Sequence, residues 1–417
     1  MANHTVAVTG MGVITPTGVG VEQFAAALRE GRTNFSCLEI VHNNDAYKFP
    51  IGKTEEFDFQ QRVSGLHLEE ELINKAKRLR NISPGVSYGV FCALEAWANA
   101  GLNKPGIDLE RVAIVSAGTN TQQASLYSTQ EKYRGKLQFL PPQYGFSFFD
   151  SDIIGVLSEL LSVKGEGFVT GAASASGNMA IIQGHRLISS SEYDVVLVLA
   201  PLMELSVYEF QGFISLGAMA QMTDGAGPSE LCRPFDTGHR GFVYGQSAGC
   251  LIIESAKHAA KRGIRTHGTI AGYGVSLDAN RNPNPSVQGE QKAMQAAMRH
   301  AQITPKQVNY VNTHGTASKI GDETEVSALL GAGLKGVNAN STKSLIGHGL
   351  SAAGLVECIA SLIQMENNFM HQSHNLINPI SEDINWIRDV AQPAEINYAI
   401  NNSFGFGGIN TSIILKK

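Results

Sequence analysis

Phe168-Val169-Thr170-Gly171-Ala172-Ala173-Ser174-Ala175-Ser176-Gly177-Asn178 is the stretch on which the reading of the fold turns. A short β-prone triplet gives way to eight small or polar residues, and residues 179–188 continue as a helix, so the chain reads strand, tight turn, helix. The small side chains leave room for a substrate at a helix N-terminus, where backbone N–H groups stabilise developing negative charge. Taken alone, Ser174 is more simply a helix cap, since serine is common there.

The same alternation extends in both directions. Apolar, β-branched runs at residues 5–9, 112–115, 195–199, 251–253, 308–311 and 409–415 read as strands covered on both faces by helices, which defines an α/β protein. Met294, Ala297, Met298 and Ala301 form one helical core stripe, and Ala352, Leu355, Val356, Ile359, Leu362 and Ile363 form another. Gly10-Met11-Gly12 reads as a turn after a strand but lacks the third glycine of a dinucleotide fingerprint. No linker or short repeat divides the chain. A boundary falls where the run ending at Glu254 and Ser255 meets a basic helix, giving units 1–255 and 256–417.

Composition excludes several function classes. The 417 residues correspond to between two and three domain-sized units at about 150 residues each. Lys and Arg number 32 against 37 Asp and Glu, and the net charge of −5 is spread without a basic block, so no nucleic-acid footprint is present. Apolar residues at 43% and charged residues at 17% describe a packed globular chain. The N-terminus carries no secretory pattern and no apolar run has the length of a membrane span, so a cytoplasmic protein with no membrane partner is expected. Cys37, Cys92, Cys232, Cys250 and Cys358 are odd in number, scattered and without a CxxC pair, indicating neither a disulfide framework nor a thiolate zinc site.

Two histidines occupy glycine-flanked turns: His314 in Asn312-Thr313-His314-Gly315-Thr316, and His348 in Gly347-His348-Gly349. Each alone is compatible with a structural role. Lys343, five residues before His348, would bring a cation beside an imidazole at a helix N-terminus, an arrangement suited to catalysis. Metal ligation fails on spacing, with 34 residues between the two histidines, and no HExxH pair exists. His371 and His374, three residues apart, lack a third ligand nearby and read as surface residues. In Asn402-Ser403-Phe404-Gly405-Phe406-Gly407-Gly408-Ile409-Asn410, three glycines permit either a tight hairpin or a close backbone approach to a ligand.

Together these motifs resemble the β-ketoacyl-carrier-protein synthases, condensing enzymes of the thiolase fold. The resemblance covers essentially the whole chain. It runs from Val8-Thr9-Gly10-Met11-Gly12-Val13 through Arg233-Pro234-Phe235-Asp236, Gly241-Phe242-Val243, the His314 motif with Gly321-Asp322 and Glu325, Ser341-Thr342-Lys343-Ser344 and Gly347-His348, to the glycine-rich segment at 402–408. It implies a five-layered α/β/α/β/α body of two similar halves, usually a homodimer. It makes His314 and His348 the imidazole pair facing a thioester carbonyl, Lys343 their electrostatic support, Glu325 part of the network beneath, and Phe404 the gate of the glycine-rich loop. Thr316 and Ser318 would bind the phosphopantetheine arm, Ser318 standing where threonine is usual. No metal or nucleotide cofactor is implied, because the phosphopantetheine arrives on the carrier protein.

One departure governs the expected chemistry. The family's nucleophilic cysteine sits in an Ala-Cys-x-Ser-Gly context, and alignment on Ala173 and Ser176-Gly177 puts Ser174 there. A thiol of pKa about 8.5 is activated by a helix terminus and nearby cations, whereas an alcohol needs an oriented general base. Decarboxylation of a malonyl thioester requires no nucleophile, only donors around the enolate oxygen. Such Cys-to-Ser homologues resemble the malonyl-carrier-protein decarboxylases of polyketide β-branching cassettes, whose acetyl-carrier product feeds a hydroxymethylglutaryl-synthase-like enzyme. The partner expected is malonyl-loaded acyl carrier protein. Two rivals are a condensing synthase using Ser174 as nucleophile and a non-catalytic, chain-length-factor-like subunit. The second leaves His314, Lys343 and His348 without a chemical purpose.

Overall fold

A computed structural model describes residues 5–417 apart from 105, 224 and 282. Two sets of five strands carry the architecture. The first comprises β1 (Val6–Thr15), β2 (Val112–Ala117), β3 (Gly167–Thr170), β4 (Val195–Ala200) and β5 (Ala248–Ser255). The second comprises β6 (Gly268–Leu277), β7 (Tyr310–Asn312), β8 (Asn338–Asn340), β9 (Tyr398–Gly405) and β10 (Ile409–Lys416). Their order across the sheet is β3-β2-β4-β5-β1-β6-β10-β9-β7-β8. Counted outward from the β1–β6 junction, each set runs first, fifth, fourth, second, third. The directions match as well: the fifth strand is antiparallel to the first and fourth, and the second is parallel to the fourth and third. The duplication absent from the residue pattern is thus present in the topology.

Helices fill equivalent places in both sets. α1 (Pro84–Asn99) joins the first strand to the second in the first set and lies on β1 and β5. α2 (Ser176–Ser189) joins its third and fourth strands. α3 (Val287–His300) joins the first strand to the second in the other set and lies on β6 and β10, with α4 (Lys319–Gly331) packed against it. α5 (Ala353–Asn367) then occupies the place equivalent to α2. α2 and α5 pack on each other between the two leaves of sheet, so the layers read α/β/α/β/α. Every residue of α5 from Ala353 to Met365 is buried, as expected of a central helix that is apolar on nearly all sides. β2 and β4 are likewise buried at every position, which explains their unbroken apolar runs.

Two expectations are corrected. Gly10-Met11-Gly12 is not a turn, because β1 continues through it. A Cβ on Gly10 would stand 2.2 Å from the Ala96 carbonyl oxygen and one on Gly12 would stand 2.0 Å from that of Cys92, so these glycines let α1 lie directly on the strand. His371 is not a surface residue but fully buried, with Nε2 2.9 Å from the Thr342 hydroxyl and Nδ1 2.8 Å from the Gln372 carbonyl oxygen. Among the described residues, no helix is long and apolar enough to cross a membrane, and no group of three or more His, Cys, Asp or Glu side chains could hold a metal ion.

Candidate active site

Ser174 lies in a single 3₁₀ turn, Ala173–Ala175, between β3 and α2. Ala173 has a left-handed backbone with φ of 48°, a sharp reversal held by Ser176, whose hydroxyl donates to the Ala173 carbonyl (2.7 Å) and accepts from Ala172 N–H (2.8 Å). The Ser403 hydroxyl on β9 donates to the Ser174 carbonyl at 2.9 Å, tying the turn to the other leaf. The cap position of α2 is Ala175, with no side-chain cap, so Ser174 is not the helix cap that spacing alone suggests.

His348 approaches from the equivalent place before α5. Its backbone N–H donates to the Val243 carbonyl (2.7 Å), and Leu350 N–H donates to its Nδ1 (3.2 Å). Burial, and after it the charge of Lys343, hold the His348 imidazole well below its ordinary pKa, so the ring is neutral near pH 7. With Nδ1 accepting, the proton of the neutral ring sits on Nε2, which lies 3.0 Å from Ser174 Oγ. The serine hydroxyl therefore accepts from the imidazole.

His314 follows β7 and stands edge-on to His348, the ring centroids 5.6 Å apart. Burial first, then Lys343 and His348, depress its pKa well below the usual value. Lys343 Nζ lies 3.4 Å from His314 Nδ1, and an ammonium can only donate, so this ring too carries its proton on Nε2. Lys343 is 1% exposed and paired with Glu357 of α5. Glu325, on α4, accepts from the backbone N–H groups of His314 and Gly315, each at 2.8 Å, and from the Asn402 amide at 3.1 Å. Burial raises the Glu325 carboxyl to about 7 despite those donors.

Ser174, His314, His348, Glu325, Phe404, Thr316 and Ser318 all line one cavity of about 550 Å³. The Thr316 and Ser318 hydroxyls lie 3.0 Å apart. Lys343 stands behind the imidazoles rather than in the lining. Phe404, the expected gate, lies on β9 with its ring 6% exposed and edge-on to His314 at 5.6 Å. The ring at the tip of the β9–β10 hairpin is Phe406, 39% exposed. None of the cysteines substitutes for Ser174. Cys232 is buried, donates to the Lys343 carbonyl oxygen at 3.0 Å, and burial pushes its thiol up to about 12.

Several contributors escape a reading of motifs. Glu357 was signalled only by being the sole charged residue between 350 and 365. Leu350 contributes through its backbone, and Phe242 through a ring set edge-on to His348 at 5.2 Å, neither of which leaves a mark on spacing.

The layered fold and the paired imidazoles beside a buried lysine define a thiolase-like ketosynthase. The family models for the beta-ketoacyl synthase N-terminal and C-terminal domains match residues 3–259 and 267–377, and the chain belongs to the beta-ketoacyl synthase family. It is 36% identical over 411 residues to the polyketide biosynthesis malonyl-ACP decarboxylase PksF of Bacillus subtilis (strain 168), covering 99% of this chain and 96% of that relative. It is 31% identical to the 3-oxoacyl-[acyl-carrier-protein] synthase 2 of Vibrio harveyi, over 100% of this chain and 99% of the other. Among solved structures, the ishigamide ketosynthase/chain length factor superposes with a TM-score of 0.85 at 25% identity over the full length of both chains.

Proposed function

We propose that the protein decarboxylates a malonyl group carried on an acyl carrier protein, releasing carbon dioxide and leaving an acetyl thioester, in polyketide β-branching. The observation that carries this reading is the direction of the hydrogen bonds on the two rings. Both Nδ1 atoms accept from fixed donors, so both Nε2 atoms present N–H groups. Two such donors around the thioester oxygen stabilise the enolate that forms as the carboxylate leaves, and preorganised donors of this kind are each worth about 10²–10³-fold in rate. The similarity to a malonyl-ACP decarboxylase over almost the whole chain supports the same reading.

The second reading, condensation through Ser174, draws on the 3.0 Å contact between Ser174 and His348 and on the synthase relatives. It requires His348 to remove the serine proton, yet the nitrogen facing the hydroxyl already bears a hydrogen. The Thr316 and Ser318 hydroxyls would hold the phosphopantetheine arm, with no resident cofactor needed. The protein would act as a homodimer, and the exposed Leu137, Phe139, Phe146, Phe148 and Phe149 supply apolar area for a second copy.

The test is incubation with malonyl-loaded carrier protein, with and without an acyl-primed carrier, followed by mass spectrometry of the carriers. Acetyl-carrier as the sole product is expected, and His314→Ala should slow its appearance about 10²–10³-fold. A β-ketoacyl-carrier, or an acyl ester on Ser174, would establish condensation instead.

A further inference from the structure

One wall of the cavity carries a group that this chemistry has not yet used. Glu290, in the first turn of α3, is 1% exposed and lines the same cavity as His314, His348 and Ser174. Its Oε2 is buried without a hydrogen-bond partner, and among the described residues its side chain makes no ion pair. Glu325 and Asp322 from α4, and Asp278 just beyond β6, are the charged groups that bear on it. All three are acidic. Asp278 shares the cavity and has a buried oxygen, Oδ2, that is likewise unpartnered. Lys319 also lines the cavity, and among the described residues no ion pair joins it to Glu290.

A carboxylate kept from water among other carboxylates, with no donor to satisfy it, is relieved by keeping its proton. Burial, and then Glu325, Asp278 and Asp322, hold the Glu290 carboxyl well above the ordinary range. The cavity therefore contains a neutral carboxylic acid alongside two neutral imidazoles. After carbon dioxide leaves, the enolate needs a proton on carbon. The imidazole N–H groups are occupied at the enolate oxygen, and a neutral imidazole is a far weaker acid than a carboxyl group.

We infer that Glu290 is the acid that protonates the acetyl carbanion, which makes it a catalytic residue of the decarboxylation. This rests on the decarboxylase reading above and extends it. The bond between the malonyl methylene and its carboxylate breaks, and the electron pair passes into the enolate as carbon dioxide departs. The Glu290 O–H then breaks while the third methyl C–H bond forms. The carboxylate left behind regains its proton from water entering the cavity, so each turnover consumes one solvent proton. A synthase that attacks an acyl enzyme has no use for an acid here, because the carbanion must survive to react.

The test compares wild type, Glu290→Gln and Glu290→Asp on malonyl-loaded carrier protein, following acetyl-carrier across pH. Glu290→Gln should lower kcat about 10²-fold, the lower end of the usual range for general acid catalysis, with KM for the carrier unchanged. It should also abolish the alkaline fall in kcat that wild type shows as Glu290 loses its proton, and Glu290→Asp should restore part of both. Wild-type kcat and an unaltered pH profile in Glu290→Gln would overturn the assignment. Should that variant fail to fold, Asp278→Asn serves instead. Removing an acidic neighbour should move the alkaline limb to lower pH, and an unmoved limb would equally overturn the proposal. Failure of the parent reading is distinct: wild type itself would then give no acetyl-carrier, or a β-ketoacyl product, and both proposals would fall.

Discussion

With Leu350 N–H donating to Nδ1, His348 has only an N–H to offer Ser174 Oγ, and a hydroxyl that receives a donor is not deprotonated by it. The same geometry treats sulfur differently. A thiolate at the N-terminal turn of α2 would accept that N–H, and its formation would be favoured by the helix terminus. Ser174→Cys should therefore gain self-acylation from an acyl-loaded carrier, read as an adduct in intact-protein mass spectrometry. Absence of an adduct would mean that residues besides 174 have been altered against acyl transfer. Lys343 shows how much of such a site spacing can convey. Its sequence position announced a cation near His348, but the side chain meets His314 Nδ1, and its counter-ion Glu357 comes from one turn inside α5. The charge of Lys343 bears on His348 as the spacing implies, and on His314 as well, which spacing does not disclose.

Two helix N-termini, those of α2 and α5, must approach closely for Ser174 and His348 to meet. The contact is made by backbone. A Cβ on Gly177 would stand 2.4 Å from Leu355 N and 3.2 Å from the Gly354 carbonyl carbon, so only hydrogen fits there. Around it the Asn401 amide bridges the Asn178 side chain and the Gly354 carbonyl, both at 2.8 Å, locking β9 to both helices. Gly177→Ala should force the helices apart. Overpacking of this kind destabilises by about 1–3 kcal/mol, and a lowered midpoint of chemical denaturation checks it. Because the displacement falls between Ser174 and His348, the proposed decarboxylation should drop even in the folded variant. A variant with wild-type stability would show that the helix pair relaxes along another direction. The alternation of strand and helix was legible from unbroken apolar runs such as 195–199, since burial on both faces imposes them. The role of Gly10 and Gly12 was not, because glycine marks close packing and turns alike.

Across the whole molecule, the candidate site comes from joining two copies of one strand order, so that the loop before α2 meets the loop before α5. The repeat was invisible in sequence because equivalent elements differ in length: β2 has six residues and β7 three. The segments between second and third strands differ more widely still. The motif residues could be read without it, whereas the orienting donors and the burial that tunes them arise only from the assembled layers. That burial has a consequence for stability. His185 and His371 are held at about 4, and His314 and His348 well below their ordinary value, in each case chiefly by removal from water. As pH falls below about 6.5 the unfolded chain takes up protons that the folded one refuses, so stability from these groups is lost with acidification. Glu95, Glu325 and Glu357, raised to about 7, act in the opposite sense: their contribution is present below the unfolded value near 4.5 and lost as pH rises towards 7. His371 isolates the first effect, because it lies outside the cavity lining and its carboxyl background is shared with any variant. In His371→Asn the carboxyl contributions cancel on subtraction. The stability difference from wild type should then shift against wild type by about 3 kcal/mol as pH is lowered from 6.5 to 4. Denaturation curves of the two proteins that stay a constant distance apart over that window would show that His371 titrates as it does in the unfolded chain.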